Sequence, residues 1–173
     1  MKLVIYPGTF DPYHIGHENI RVKAMKIYGN GSVQLAIGIN PAKPATNTVE
    51  RAKKLCDKLQ DADAVISYSC FLHEYIMEMR EKGFDVVLLR GVRNGEDIEH
   101  EENQLAFMQD LEPRLKFRSN VIFGFFITNK FLLKLIKPNV VFLRPDEEYK
   151  HISSSAIRQL ESFRLGSGKQ FII

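Results

Sequence analysis

The chain has 173 residues, 45% hydrophobic and 26% charged, enough apolar material for one globular domain with its own core. A formal charge of +3 admits an anionic ligand but is too small a bias to argue for a nucleic-acid partner. The two cysteines, Cys56 and Cys70, lack the spacing of a disulfide scaffold or a thiolate metal site, so a reducing cytoplasm is the expected compartment.

In chain order, "KLVIY" at residues 2–6 reads as the first strand, too short an apolar run for the core of a secretion signal. A helical pattern over Gly16 to Tyr28 follows, then a strand "VQLAIGI" at 33–39, a helix over Val49 to Leu59 and a strand "AVISY" at 64–68. Next come a helix over Phe71 to Lys82, a strand "DVVLLRG" at 85–91, a helix over Ile98 to Leu111 and a strand "NVVFLRP" at 139–145. The most apolar stretch, Val121 to Ile136, is interrupted by Gly124, Asn129, Lys130 and Lys134, whereas a spanning helix needs about 20 apolar residues. No membrane span is expected. Strands that are apolar throughout and separated by helices imply an α/β domain with a parallel sheet of about five strands, covered on both faces. No repeat or linker divides residues 1–173, and a single domain is expected. In such doubly wound sheets, ligands bind beyond the carboxyl ends of the strands.

The stretch after the first strand, "YPGTFDPYHIGH" at residues 6–17, carries chemistry in the expected place. Gly8 lets the backbone approach a ligand, Thr9 offers a hydroxyl, Asp11-Pro12 makes a turn, and Gly16-His17 opens a helix whose amino end attracts phosphate. After the fourth strand stand Arg90 and Arg93, two guanidinium groups able to meet several phosphate oxygens. A serine run, Ser153 to Ser155, precedes "AIRQL" as a helix start; capping alone would need only one serine. Lys43 lies in the loop after the second strand, where a mobile cation can reach a phosphate.

These motifs resemble the nucleotidyltransferases that share a His-x-Gly-His signature with class I aminoacyl-tRNA synthetases. "GTFDPYHIGH" matches that superfamily, and "ISSSAIR" at 152–158 resembles the motif by which its members grip ATP phosphates. The middle string, "LLRGVRNGEDIEHEENQLAFMQDLEP" at 88–113, is similar to phosphopantetheine adenylyltransferase, with Asp97 and Ile98 at a paired position and Glu101 at the acid beside the nucleotide. Aligning "QLA" at 104–106 instead moves that acid to Glu102.

The resemblance implies a Rossmann-like nucleotidyltransferase sheet and transfer of AMP from ATP to 4′-phosphopantetheine, giving dephospho-CoA and pyrophosphate. It implies His17, Lys43 and Arg90 as catalytic residues, with Thr9, Lys43, Leu72 and Arg90 on the acceptor. ATP would meet Thr9, Phe10, His14, His17, Gly91, Arg93, Glu101, Tyr149, Ile152, Ser153, Ser154 and Ser155. Mg²⁺ would accompany ATP through phosphate oxygens and water. No protein metal site is expected, since His14 and His17 lack a recognisable third ligand for zinc. A homo-oligomer is implied, a hexamer in that family.

Three features depart from the pattern. "YHIGH" replaces the usual Thr-x-Gly-His and resembles the nicotinate mononucleotide branch, which keeps transfer to that or another phosphorylated acceptor as an alternative, beside a non-catalytic nucleotide-binding protein. Residues 116–138 read as an insert whose apolar residues must be buried on the domain or at a subunit interface, and the family's last helix has no counterpart after Ile173. "GSGKQ" at 166–170 is not a phosphate loop, because Phe163 stands where its first glycine belongs and Gln170 where Ser or Thr would bind magnesium.

Overall fold

The computed structural model describes residues 1–38, 47–61, 64–69, 72–99, 101–103, 139–162 and 168–173. Five strands form one parallel sheet: β1 (Lys2–Gly8), β2 (Val33–Ile37), β3 (Val65–Ser67), β4 (Asp85–Gly91) and β5 (Asn139–Leu143), in the order β3-β2-β1-β4-β5. The chain starts in the centre, builds outward through β2 and β3, then returns to lay β4 on the other side of β1. The switch point therefore falls between β1 and β4, whose carboxyl ends open a crevice.

Successive strand residues face opposite layers, so a strand buried on both sides must be apolar without a break. In β4, Val87 and Leu89 join Val4, Tyr6, Leu35 and Ile37 on one face, under Ile20 and Ala24 of α1 (Ile15–Tyr28) and Ala52 and Leu55 of α2 (Thr48–Leu59). Val86 and Leu88 join Ile5 and Ala36 on the other, under Tyr75, Ile76 and Met79 of α3 (Leu72–Glu81). Each of these aliphatic side chains contributes about 1.5–3 kcal/mol when fully withdrawn from water. The expected doubly wound α/β sheet of five strands is what forms.

Local signals explain the ends. The Asn47 side chain accepts from Val49 N and Glu50 N at 3.0 and 3.3 Å, capping α2, and Gly29 ends α1 at a φ of +103°. β1 runs two residues beyond "KLVIY" because Pro7 and Gly8 still pair in register with Ala36 and Ile37. β5 stops at Leu143, before Pro145, which has no N–H to give a ladder. Helical residues begin at 95, earlier than the expected Ile98, where Asn94 Oδ1 accepts from Asp97 N at 2.8 Å. Residues 104–111 of that expected helix, and the insert at 116–138, lie outside the described residues. The last helix, α4 (Ser154–Ser162), starts inside the serine run. Among the described residues no helix is long and apolar enough to cross a membrane.

Candidate active site

Beyond the carboxyl ends of β1 and β4 lies a cleft of about 520 Å³. Its first wall is the loop after β1. Phe10 sits in the left-handed region at φ 45°, which turns its ring inward, edge-on to Tyr6, Tyr13 and His17 at 5.1–5.5 Å between centroids. A Cβ on Gly8 would lie 2.8 Å from that ring, so glycine is required there by Phe10 as much as by any ligand. The loop's carbonyls are held from outside. Arg51 of α2 donates to Thr9 O, Arg158 of α4 to Asp11 O, Ser154 Oγ to Pro12 O at 3.0 Å, and Ile173 N to Tyr13 O at 3.4 Å.

The second wall is the amino end of α1. His14 is its N-cap and only 4% exposed; a Cβ on Gly16 would come within 3.2 Å of the His14 ring. That ring stacks on His17 with 3.7 Å between centroids. The backbone N of His14 donates to His17 Nδ1 at 3.4 Å, so in neutral His17 the proton resides on Nε2. His14 Nδ1 is buried and has no hydrogen-bond partner among the described residues. Burial, reinforced by the Arg93 charge, holds the His14 imidazole down at about 4, so it is uncharged at neutral pH. Behind the cleft, Ile172 forms an antiparallel bridge with His14, and Lys58 Nζ donates to Ile173 O at 2.7 Å.

The third wall follows β4. Arg90 Nε and Glu101 Oε2 are 2.9 Å apart, an ion pair rather than an aligned hydrogen bond, with both side chains under 20% exposed. Arg93 is gripped by Asp97 through Nε and Nη2 at 3.1 and 3.3 Å and through its own backbone N at 2.8 Å. Burial opposes ionisation of Asp97, but these bonds outweigh it and hold the carboxyl below its ordinary range. Glu101 faces the cleft; Glu102 is exposed and lies off it.

The fourth wall is the segment before and within α4. Tyr149 and Ile152 line the cleft with Ser153, Ser154 and Ser155. Ser153 caps the helix, its Oγ accepting from Ala156 N at 3.1 Å, while Ser155 Oγ accepts from Arg158 Nη2 at 3.2 Å. Arg158, which sequence grouped with the phosphate motif, thus fastens the serine run to the first loop.

Residues 5–160 match the cytidylyltransferase-like family. The chain belongs to that family. It is accordingly a nucleotidyltransferase. Among its relatives, the phosphopantetheine adenylyltransferase of Aquifex aeolicus is 31% identical over 166 residues, covering 94% of this chain and 84% of that one. The protein of the same name from Tolumonas auensis is 27% identical over 173 residues, covering 98% and 87%. The fold is shared with the nicotinic acid mononucleotide adenylyltransferase of Plasmodium falciparum solved with NaAD, at a TM-score of 0.53 and 15% identity over 99% of this chain and 90% of that one.

The cytidylyltransferase-like cleft gathers Thr9, Phe10, His14, His17, Arg90, Gly91, Arg93, Glu101, Tyr149, Ile152 and the three serines from four separate segments. Among the described residues, one expected residue does not line it. Leu72 opens α3 and packs with the second core face, because the helix turns it toward the sheet. Lys43 lies outside the described residues. Tyr6, Pro7, Ile20 and Pro145 also line the cleft, and the sequence does not single them out. Ile20 stands one turn beyond Gly16 and His17, so helical spacing would have found it, and Pro145 follows a strand end.

Proposed function

We propose that the protein transfers AMP from ATP to 4′-phosphopantetheine, giving dephospho-CoA and pyrophosphate. The observation that carries this reading is the convergence of His17, Arg90, Arg93 and the Ser153–Ser155 run on one cleft at the sheet's switch point. The acceptor is supported by the 31% identical phosphopantetheine adenylyltransferase.

In the reaction an oxygen of the acceptor phosphate attacks the α-phosphorus of ATP in line. A new P–O bond forms, the α–β bridging bond breaks, and pyrophosphate leaves with its electron pair. No covalent enzyme intermediate is required, so catalysis rests on positioning and on stabilising developing charge. His17 donates from Nε2 to an α-phosphate oxygen, and Thr9, Lys43 and Arg90 hold the acceptor phosphate. Arg93 and the three serines, with the amino end of α4, hold the β- and γ-phosphates, with His14 beside them. The carboxylate of Glu101 relaxes from Arg90 toward the nucleotide as the acceptor phosphate takes the guanidinium.

Among the described residues no group of three or more His, Cys, Asp or Glu could hold a metal ion, and Glu101 is already paired with Arg90. The cleft's hydroxyls and guanidinium groups fit phosphate oxygens, on which Mg²⁺ would be carried with water and would neutralise phosphate charge. The reading includes a cytoplasmic setting and a homo-oligomer, hexameric in that enzyme family.

Pyrophosphate release from ATP tests the proposal. With 4′-phosphopantetheine as acceptor, turnover is expected, falling about 10²- to 10³-fold in His17→Ala with the loss of one transition-state donor. Turnover with nicotinate mononucleotide alone would overturn the acceptor, and ATP binding without turnover would leave a nucleotide-binding protein.

A further inference from the structure

Two rings lie near-parallel to His17: His14 at 3.7 Å between centroids and 25° between planes, and Tyr13 at 5.5 Å and 23°. Phe10 meets the ring edge-on at 5.1 Å. Such offset and edge contacts hold an aromatic plane in place more firmly than aliphatic packing does. The His14 contact belongs to the signature. The Tyr13 contact has its own support. Tyr13 is 4% exposed, and its hydroxyl donates to Glu18 Oε2 at 2.6 Å. Glu18 in turn accepts from Arg21 through Nε at 2.9 Å and Nη2 at 3.1 Å. Glu18 directly follows His17 and Arg21 lies one turn further, so the helix that carries His17 also grips the ring stacked against it. Burial, then the Glu18 charge, pushes the Tyr13 phenol far above its ordinary range, which keeps it a donor throughout.

We propose that Tyr13, locked by Glu18 and Arg21, is a positioning residue that fixes the plane of the His17 imidazole and so the direction of its Nε2–H. This rests on the assignment of His17 to the α-phosphate. A tyrosine serving only to fill the core would affect stability; one that aims His17 affects the chemical step and the imidazole itself.

The experiment combines kinetics with nitrogen-15 spectra of the His17 imidazole in the unliganded protein. Tyr13→Leu is expected to lower kcat about tenfold while KM for ATP stays within about threefold, as for a group misaimed rather than removed. The same variant is expected to lose the single Nε2–H signature of the wild type for an averaged one. Tyr13→Phe and Glu18→Ala break the same hydrogen bond, so each is expected to lower kcat by a similar smaller factor with no further loss when combined. Those two carry the test if Tyr13→Leu does not fold. A folded Tyr13→Leu with wild-type kcat and spectrum, or additive effects of Tyr13→Phe and Glu18→Ala, would overturn the proposal. An unchanged Nε2–H signature beside a lowered kcat would also overturn it. If the wild type does not turn over phosphopantetheine, the proposed function falls, while the spectra still decide whether Tyr13 holds the ring.

Discussion

His14 brings an uncharged imidazole into a cleft shaped for phosphates. Its burial and the nearby Arg93 hold its proton affinity at about 4, against an ordinary value of 6.5. Between those two values the unfolded chain binds a proton that the folded chain refuses, so stability rises with pH across the window and is lost as acid is added. The loss begins as pH falls through 6.5, amounts to about 2 kcal/mol by pH 5, and levels off below the folded value. Urea unfolding between pH 7.5 and 5 is expected to show this slope in the wild type and a flatter one in His14→Gln; equal slopes would contradict it. At this scale the sequence was legible where chemistry sits in strings: the histidine pair, the arginine pair and the serine run all reach the cleft. It was silent on Tyr6, whose ring reads as core in an apolar strand and whose place at the cleft only the fold reveals. Arg158 belongs to the phosphate motif in the sequence, yet its Nη1 donates to the Asp11 carbonyl and its Nη2 to the Ser155 hydroxyl.

The helices and strands explain why a motif of three serines is more than a cap. Ser153 satisfies the first turn of α4, Ser154 ties that turn to Pro12, and Ser155 meets Arg158. Ser153→Ala is therefore expected to cost about 1 kcal/mol of unfolding free energy, with Ser153→Thr recovering most of it, as measured by urea titration. An unchanged midpoint in Ser153→Ala would show that the cap contributes nothing. Element types were legible because a strand covered on both sides has no polar alternation, and a helix on such a sheet shows 3.6-residue spacing. Ends were less so. Pro7-Gly8 looks like a terminator, but its pairing with β2 is a long-range contact that local turn chemistry cannot reveal. Leu72 illustrates the same limit: a position in a motif does not say which side of a helix faces the cleft.

For the molecule as a whole, the sheet order decides where the site forms. Apolar runs announce strands but not their neighbours, and nothing local in the sequence says that β4 returns to pair with β1. That pairing puts the first and second motifs side by side. The sheet's stability rests on residues such as Leu35, fully buried in β2, whereas Val49 on α2 is 64% exposed. Leu35→Ala is expected to cost about 2–5 kcal/mol and Val49→Ala under about 0.5 kcal/mol in urea unfolding; comparable losses would contradict the assigned layers. One contact made far along the chain has a practical corollary. Ile172 bridges His14 and Ile173 reaches Tyr13, whereas Met1 is 88% exposed at the amino end of β1, the far end of the strand from the cleft. A bulky reporter attached at Ile173 therefore sits beside the histidine pair and competes with the strap that seats it, whereas one attached at Met1 stays at the opposite end of the sheet from the cleft.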